Sequence, residues 1–383
     1  MVLYSDSPAE AEFRTELQKW LEKNAFTEDE VESSGDVGTQ PWLEMRQEWH
    51  RRLYEAGYLG MTWPVEYGGR GLSSMYDAIL AFEVGEFGAA KLPAYTSFVG
   101  KLIYRFGTQE QIDRYLEPLQ SGKEVWCQGF SEPNAGSDLA SLRTRADLHG
   151  DTYVVNGQKL WTSGSNFADM CFLLARTDQD APKHKGISCL LVDMKSPGIT
   201  AQGIRLTNGE ADTATVFWDD VHVPASSRLG QENEGWRIAV SVLSDERGPE
   251  SVRLVAHHRK HVAAFIDLVD SLGLADDPEV HRAIGRTYTD GEAHRLYVND
   301  LLSAIDNGTA TGLEGSIAKL LWSEETQNLH QVAMDVLGPS AVSGEAQDWF
   351  HAYLWSRAAS IYGGTSQIQK KVIAQRVLGM PRD

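Results

Sequence analysis

A run of small and hydroxyl-bearing residues at positions 129–141, GFSEPNAGSDLAS, has the composition of a ligand-binding loop. It continues the strand-like segment EVWCQGF, and Gly136, Ser137 and Asp138 are residue types of a tight polar turn. Such a turn offers backbone N–H groups and hydroxyls to a flat ligand with polar edges. Taken alone, the run also fits an ordinary surface loop.

A carboxylate in the segment GWRIAVSVLSDERGPES is a candidate catalytic base. Ile238, Val242 and Glu246 are spaced by four residues, which predicts that they share one face of a helix. A carboxylate on an apolar stripe costs free energy unless it is paired or used, and burial raises the pKa of a carboxyl group toward the range of a working base. The alternative is an exposed helix end, with Glu246 beside Arg247 and Gly248.

The segment IYGGTSQIQ, residues 361–369, has the features of a helix N-terminus. Ser366 and Gln369 have capping-box spacing, which predicts a helix that begins here. Gly363 and Gly364 precede it and allow backbone N–H groups to approach a phosphate closely. An ordinary turn between two helices is the alternative.

Three other motifs in the sequence give weaker indications of function. YGGRGLS is not followed by the βαβ pattern of a dinucleotide site, and the sequence has no phosphate-loop lysine motif. His257, His258 and His261 have a helical spacing that suits a metal, but a solvated basic helix face is the favoured interpretation and no metal is predicted. Ser316 and Lys319 match the Ser-x-x-Lys of serine acyl-enzymes without the partner motifs Ser-Asp-Asn and Lys-Thr-Gly, so a serine hydrolase has little support.

The elements that must position these residues fall into three regions. Residues 6–122 have helical periodicity, with Phe13, Leu17, Trp20 and Leu21 forming one buried stripe. TRADLHGDTYVVNGQKLWTS predicts two strands joined at residues 149–151 and a further turn at residues 156–157, and strand-like character continues to about residue 224. Helical patterns return from Gly235 to the end.

Composition excludes several classes of function. A chain of 383 residues is long enough for two or three domains with a large core. The net charge of −19 argues against nucleic acid, and no apolar run approaches the roughly 18 residues of a membrane span. The N-terminus is unlike a secretion signal, and three scattered cysteines form no disulfide framework. A cytoplasmic protein is expected.

The polar run resembles the signature Gly-x-(Ser/Thr)-Glu-x-x-x-Gly-Ser-Asp of the acyl-CoA dehydrogenase family. Further matches follow in the family's order: TWPVEYGGRGLS upstream, NGQKLWTSGS and VHVPASSRLGQENEGW downstream, and GGTSQIQ near the end. The resemblance covers nearly the whole chain. It implies an α+β fold with an N-terminal helical domain at 1–122, a middle β-barrel-like domain at 123–233 and a C-terminal four-helix bundle at 234–383.

The resemblance also implies an FAD-dependent enzyme that acts on an acyl-CoA. In this family a base takes the α-proton while the flavin N5 accepts a hydride from the β-carbon. The implied cofactor contacts are the flavin edge for Phe130 and Ser131, ring packing for Trp161, a hydrogen bond near N5 for Ser163, and the FAD nucleotide portion for Thr365 and Gln367. Ser137 is implied to hold the CoA arm.

The resemblance also bears on the base. Many members have a glutamate where this chain has Gly363, which cannot accept a proton. Branches that act on isovaleryl-CoA, long chains and steroid side chains carry the glutamate on an earlier helix, directly before an arginine, and Glu246-Arg247 falls on that position. Glu246 is therefore the expected base, Arg247 supports the CoA arm or the helix packing, and Gly363 favours a branched or bulky acyl group such as a steroid side chain.

The chain departs from the family at the contact with a neighbouring subunit. DSLGLADDPEVHRAIGR and DVLGPSAV lack the family's Arg-x-x-Phe-Gly segment and its later Gly-Gly turn, and Arg282 or Arg286 is a candidate replacement. A heterotetramer with a sister subunit, a homodimer and a homotetramer all fit. The expected electron acceptor is an electron-transfer flavoprotein. The alternatives are a non-catalytic sister subunit and an oxygen-using acyl-CoA oxidase or flavin hydroxylase.

Overall fold

A computed structural model of the chain describes residues 6–245, 249–310, 312–343 and 346–381. The helices of these residues are α1 (Pro8–Asn24), α2 (Glu28–Ser33), α3 (Gln40–Glu55), α4 (Ser74–Phe87), α5 (Ala94–Phe106), α6 (Gln109–Ser121), α7 (Gly235–Asp245), α8 (Pro249–Ser271), α9 (Pro278–Asp306), α10 (Gly315–Leu337), α11 (Gln347–Ala359) and α12 (Ser366–Val372). The strands are β1 (Trp126–Gly129), β2 (Arg145–His149), β3 (Thr152–Ser163), β4 (Met170–Arg176), β5 (Ile187–Asp193), β6 (Ile199–Ile204), β7 (Thr213–Pro224) and β8 (Arg228–Leu229).

The chain divides into two compact units. The sheet unit comprises Phe26–Gly71 and Ala90–Asp245, and the bundle unit comprises the described residues of Met1–Ala25, Leu72–Ala89 and Glu246–Asp383. Helices precede the sheet along the chain and return after it, so the predicted α+β class is confirmed. The domain limits after residues 122 and 233 stay predictions.

One mixed sheet organises the sheet unit. Its strand order is β6-β7-β3-β2-β4-β5-β8, and β1 runs parallel to β4 at its side. The strand β4, MCFLLAR, is buried along its whole length, as expected of an apolar strand that is covered on both faces. Phe172 and Leu174 belong to one core cluster, which also contains Ile238 and Val242 of α7, whereas Leu173 belongs to the cluster on the other face.

The predicted hairpin is confirmed, and the further turn is not. Strands β2 and β3 pair antiparallel and are joined at Gly150, which has a φ of 65°. The predicted turn at Asn156-Gly157 is wrong, because β3 continues through it as one strand with a bulge between Val155 and Gly157. Asn156 donates to and accepts from Asp220 of β7, which stabilises the bulge across the sheet.

The bundle unit packs α8, α9, α10 and α11 together, with α4 beside α8 and α1 beside α4. Ser7 and Glu10 form a capping box at the start of α1. Phe13, Leu17 and Leu21 are buried as the periodicity predicted, whereas Trp20 is only partly buried. The helix α4 lies very close to α8 at Gly85. No helix among the described residues is both long and apolar enough to cross a membrane.

The histidines of α8 do not form a solvated face, so that prediction is wrong. His258 is buried, with Nε2 3.2 Å from the Thr287 carbonyl of α9, and His261 Nδ1 lies 3.1 Å from His330 Nε2 of α10. Burial lowers the pKa of His261 to about 3 and that of His330 to about 4. Within the described ranges, no three His, Cys, Asp or Glu side chains form a group that suits a metal.

Candidate active site

The loop after β1 is attached to β3 in the sheet unit. The Ser131 carbonyl accepts a hydrogen bond from Leu160 N at 2.8 Å. The Phe130 ring is a core residue that packs edge-on against Phe172, with ring centroids 5.2 Å apart. Residues 130–131 are therefore held by β3 through the backbone and by β4 through the core.

A second bulge in β3 exposes Trp161. Lys159 lies opposite Val216 of β7 and Thr162 lies opposite Ala214, so β3 has one residue more than its partner. Trp161 takes a φ of 61°, a backbone conformation that is rare for a bulky residue and costs roughly 1–3 kcal/mol. Its ring is nevertheless 57% exposed, so little of that cost is recovered by burial.

The bulge also determines which neighbours of Trp161 are buried. Strict alternation would turn Trp161 and Ser163 to the same side as Lys159. The extra residue instead leaves Lys159 and Thr162 buried and Trp161 and Ser163 exposed. Across the described part of the chain, the hydroxyls of Ser131 and Ser163 make no hydrogen bond. One aromatic ring and two available hydroxyls are thus brought together by the loop and the strand.

A buried ion pair lies at the same junction. Lys159 is wholly buried and its Nζ is 2.8 Å from Glu132 Oε1. Burial lowers the pKa of Lys159, and Glu132 opposes that change. Burial alone would raise the pKa of Glu132, but Lys159 and the hydrogen bonds from Thr144 keep it below its usual value. This pair was not predicted, because Lys159 follows Gln158 in the segment NGQKLW and no local pattern marks it as buried.

The turn that contains Ser137 is exposed at the surface of the sheet unit. Ser137 is exposed, and Gly136 has no atom within 4 Å of the position of a Cβ. Asp138 pairs with Lys183 at 2.8 Å, and this hydrogen bond lowers the pKa of the carboxyl group. Ser137 is therefore accessible to a ligand and lies next to an exposed ion pair.

The turn before α12 is held by two side chains in the bundle unit. Gly363 and Gly364 have φ values of 62° and 92°. Lys319 Nζ of α10 donates to the carbonyls of Ala359 at 2.7 Å and Gly364 at 3.0 Å. Gln369 Nε2 donates to the carbonyls of Gly363 at 2.9 Å and Gly364 at 3.3 Å. The carbonyls of the turn are thus satisfied by these two side chains.

The cap of α12 differs from the predicted one. Thr365 rather than Ser366 is the N-cap, and its side chain accepts a hydrogen bond from Ile368 N. Gln369 makes no capping-box bond to Ser366, because its amide donates to the glycine carbonyls. Gln367 is exposed in the first turn of the helix.

The same arrangement leaves donors available at the turn. Among the described residues, the N–H groups of Gly363, Gly364 and Thr365 donate to no acceptor. Three consecutive donors without an acceptor suit a negatively charged oxygen group. At Gly363 a Cβ would meet only Lys319 Cε, at 3.8 Å, so the space beside this backbone is open.

The expected base falls outside the described residues, as does Arg247. Glu246 follows Asp245, the last residue of α7. The apolar stripe that leads to it is confirmed, since Ile238 and Val242 are both wholly buried.

Comparison with known proteins decides the family. The family models of acyl-CoA dehydrogenases match in chain order, the N-terminal domain over residues 7–123, the middle domain over 127–221 and the C-terminal domain over 233–378. Acyl-CoA dehydrogenase IpdE1 of Mycobacterium tuberculosis (strain ATCC 25618 / H37Rv) is 37% identical over 384 residues, which cover 97% of this chain and 98% of that protein. This chain belongs to the acyl-CoA dehydrogenase family.

Solved structures share the fold over nearly the whole length of the chain. The Tcur3481–Tcur3483 steroid ACAD is 31% identical, with a TM-score of 0.88 and all of both chains covered. The ChsE4–ChsE5 complex from Mycobacterium tuberculosis is 30% identical, with a TM-score of 0.84 and 99% of each chain covered. The chain is therefore an oxidoreductase of a flavoprotein family.

In each of its two units taken by itself, this acyl-CoA dehydrogenase has residues that suit part of a flavin nucleotide. The exposed Trp161 ring offers a face for a flat ring system, and the hydroxyls of Ser131 and Ser163 offer hydrogen bonds at its polar edge. The available N–H groups at Gly363–Thr365 suit a phosphate. Both sets of donors agree with the chemistry of the group that the family carries.

The serine-hydrolase alternative does not fit the geometry of this acyl-CoA dehydrogenase. Ser316 is wholly buried, which removes it from any substrate. Lys319 donates to the backbone carbonyls of Ala359 and Gly364, so the Ser-x-x-Lys pattern has a structural explanation.

Proposed function

We propose that this acyl-CoA dehydrogenase uses FAD to introduce a 2,3-double bond into an acyl-CoA thioester with a bulky acyl group. The observation that carries the proposal is the open space at Gly363, where many family members place their glutamate. FAD, when bound, supplies the acceptor for the hydride that leaves the β-carbon. A steroid side chain is the substrate class that fits best.

Glu246 is the proposed catalytic base. An α-proton beside a thioester is weakly acidic, so its removal needs a positioned carboxylate and hydrogen bonds to the carbonyl oxygen. Gly363 cannot supply the carboxylate. The buried residues Ile238 and Val242 support Glu246, because they make α7 a rigid apolar support that ends next to it. Arg247 is proposed to hold the CoA arm together with Ser137.

The proposed FAD contacts divide between two places in the chain. In the sheet unit, Trp161 packs on the ring system and the Ser131 and Ser163 hydroxyls donate to its edge, with the backbone of Phe130 beside them. In the bundle unit, the Thr365 hydroxyl and the Gln367 amide bind the nucleotide portion. The available donors at Gly363–Thr365 support the second assignment.

The bulky substrate has a second line of support. Tyr362, next to Gly363, is 45% exposed and forms an aromatic cluster with Trp322 and Trp355, with ring centroids 5.9 and 6.2 Å from its own. An aromatic surface next to open space suits an apolar polycyclic group. The steroid ACAD among the similar structures points to the same class.

A sister subunit and an electron-transfer flavoprotein are the proposed partners. The similar structures include the two-component Tcur3481–Tcur3483 and ChsE4–ChsE5 assemblies. Of the two candidate arginines, Arg282 pairs with Glu279, whereas Arg286 is exposed and forms no ion pair within the described residues. Arg286 is therefore the better candidate to contact a neighbouring FAD. Homodimers and homotetramers are the competing assemblies.

The test is Glu246→Gln, with Asp245→Asn as the matched control one residue earlier. We expect Glu246→Gln to retain bound flavin and to lose turnover by orders of magnitude, whereas the control retains both. Activity is measured on linear, branched and steroid side-chain CoA thioesters with an artificial electron acceptor. Retained activity in Glu246→Gln would contradict the base assignment. A flavin-loaded wild-type protein that is inactive with every thioester would favour the non-catalytic subunit, and rapid reoxidation by O₂ would favour an oxidase.

A further inference from the structure

The buried Lys159–Glu132 pair links the two segments that carry the proposed flavin contacts. Besides Glu132 Oε1, Lys159 Nζ has the Phe130 carbonyl within 3.1 Å and donates to it. Lys159 lies on β3 and Phe130 on the loop after β1. The lysine thus bonds to the loop both through the backbone and through the carboxylate.

Glu132 extends the connection to a third segment. Its Oε2 accepts a hydrogen bond from Arg143 N at 2.6 Å, and its Oε1 accepts one from Thr144 N at 2.8 Å. Its carboxylate therefore has three donors, two of them backbone N–H groups. Such a carboxylate has little freedom to reorient, since each of its oxygens is held by at least one fixed donor.

Stability alone is a poor explanation for this pair. Removing two charges from water is costly, and replacing a buried ion pair by neutral groups of similar volume is often neutral or even stabilising. Lys159 lies close to Cys171, which belongs to a buried apolar cluster that a neutral side chain could also join. What a buried ion pair adds is a defined geometry between the segments that it joins.

The pair lies where geometry matters most in the sheet unit. Lys159 is the last regularly paired residue before the bulge that exposes Trp161. The next residue, Leu160, donates its N–H to the Ser131 carbonyl. Two consecutive residues of β3 therefore hold the carbonyls of Phe130 and Ser131. A strained backbone such as that of Trp161 persists only where its surroundings determine it fully.

We propose that Lys159 and Glu132 are positioning residues for the flavin contacts of this enzyme. The pair holds the Ser131 hydroxyl and the Trp161 ring in one fixed arrangement before the cofactor binds. Neither residue touches the cofactor in this proposal. The inference rests on the proposed flavin site, and its effect on the protein without flavin is a separate consequence.

The test compares Lys159→Met with the double variant Lys159→Met/Glu132→Gln. The single variant leaves the buried Glu132 carboxylate without its counter-ion, and it serves only to measure the loss of stability that this causes. The double variant is neutral and similar in volume, and it keeps one oxygen acceptor, for Arg143 N or for Thr144 N. The exposed pair Lys123–Glu117 provides the control, Lys123→Met/Glu117→Gln, whose side chains are 68% and 50% exposed.

Two measurements address the double variant. In flavin-free protein, hydrogen–deuterium exchange by mass spectrometry reports order at 129–132 and 159–163, and we expect at least tenfold faster exchange there with an unchanged melting temperature. In reconstituted protein, we expect the Kd for FAD to rise at least tenfold and the visible flavin spectrum to lose fine structure. The control double variant should match the wild type in both.

Each outcome decides the proposal. Wild-type exchange rates and a wild-type flavin spectrum in the folded double variant would overturn it. A double variant that does not fold would assign the pair to stability and would also overturn it. Faster local exchange in a chain that binds no flavin, either alone or with its sister subunit, would contradict the proposed function and retain the positioning role. Faster exchange with weaker flavin binding would support both.

Discussion

Lys319→Met is the substitution that tests the turn before α12 most directly. Lys319 Nζ donates to the carbonyls of Ala359 and Gly364, which lie on either side of Gly363. Methionine keeps the length and the apolar stem of the side chain and removes the three donors. The two carbonyls then lose a charged donor while remaining partly buried.

The size of the effect follows from the two hydrogen bonds. Hydrogen bonds to charged groups contribute roughly 1.5–3 kcal/mol each, and partial burial puts the pair at roughly 2–4 kcal/mol. If the loosened turn must be ordered again when the cofactor binds, this free energy appears in the affinity. At about 1.4 kcal/mol for each factor of ten, the Kd for FAD rises roughly 30- to 700-fold.

The assay is titration of flavin-free protein with FAD, followed by flavin fluorescence. Lys370→Met is the matched control, because Lys370 is a lysine on α12 whose ion pair with Glu324 is largely exposed and contributes little. We expect less than a twofold change in its Kd. Thermal melts of both variants show whether the fold is intact.

A Kd for Lys319→Met within threefold of the wild-type value would refute this reasoning. It would mean that Gln369, which donates to Gly363 and Gly364, holds the turn by itself. The combined variant Lys319→Met/Gln369→Leu distinguishes that case, since it should then lose affinity that neither single change loses.

Three further predictions concern stability. Gly85→Ala should lower the free energy of unfolding by about 1–3 kcal/mol in denaturant melts, because the new Cβ lies 2.8 Å from Ala256 Cβ of α8; an unchanged midpoint would contradict the close packing. At Gly285 on α9 a new Cβ would meet no atom within 4 Å. Gly285→Ala should therefore raise the free energy of unfolding by about 0.5–1 kcal/mol. Burial lowers the pKa of His50 from 6.5 to about 4. As the pH falls, the unfolded chain therefore binds a proton at His50 at a higher pH than the folded chain does. The contribution of His50 to the free energy of unfolding is fully present above pH 6.5 and falls by roughly 3 kcal/mol toward pH 4. His50→Gln should flatten this part of the plot of unfolding free energy against pH.

Local chemistry accounts for what the sequence predicted well. The Gly150 turn and the alternation beside it depend on neighbouring residues, and the β2–β3 hairpin is confirmed. The stripe Phe13, Leu17 and Leu21 depends only on helical periodicity, and these residues are buried. The family signature at 129–138 is a matter of residue identity, and family membership is confirmed. The roles assigned to the individual site residues stay predictions.

The tertiary structure decided the features that depend on a distant partner. Asn156-Gly157 has the composition of a turn, but Asp220 of β7 holds it in a bulge. A buried His258 depends on Thr287 of α9, which no local pattern reveals.

The arrangement of the candidate site also depends on contacts between segments that are distant in the sequence. Trp161 is exposed because β7 pairs on both sides of an extra residue, and Lys159 is buried because Glu132, 27 positions away, neutralises it. Residue types and spacing predicted which side chains would carry the chemistry, and these roles stay predictions. Their geometry required strand register and burial, since both are determined by contacts between segments far apart in the chain.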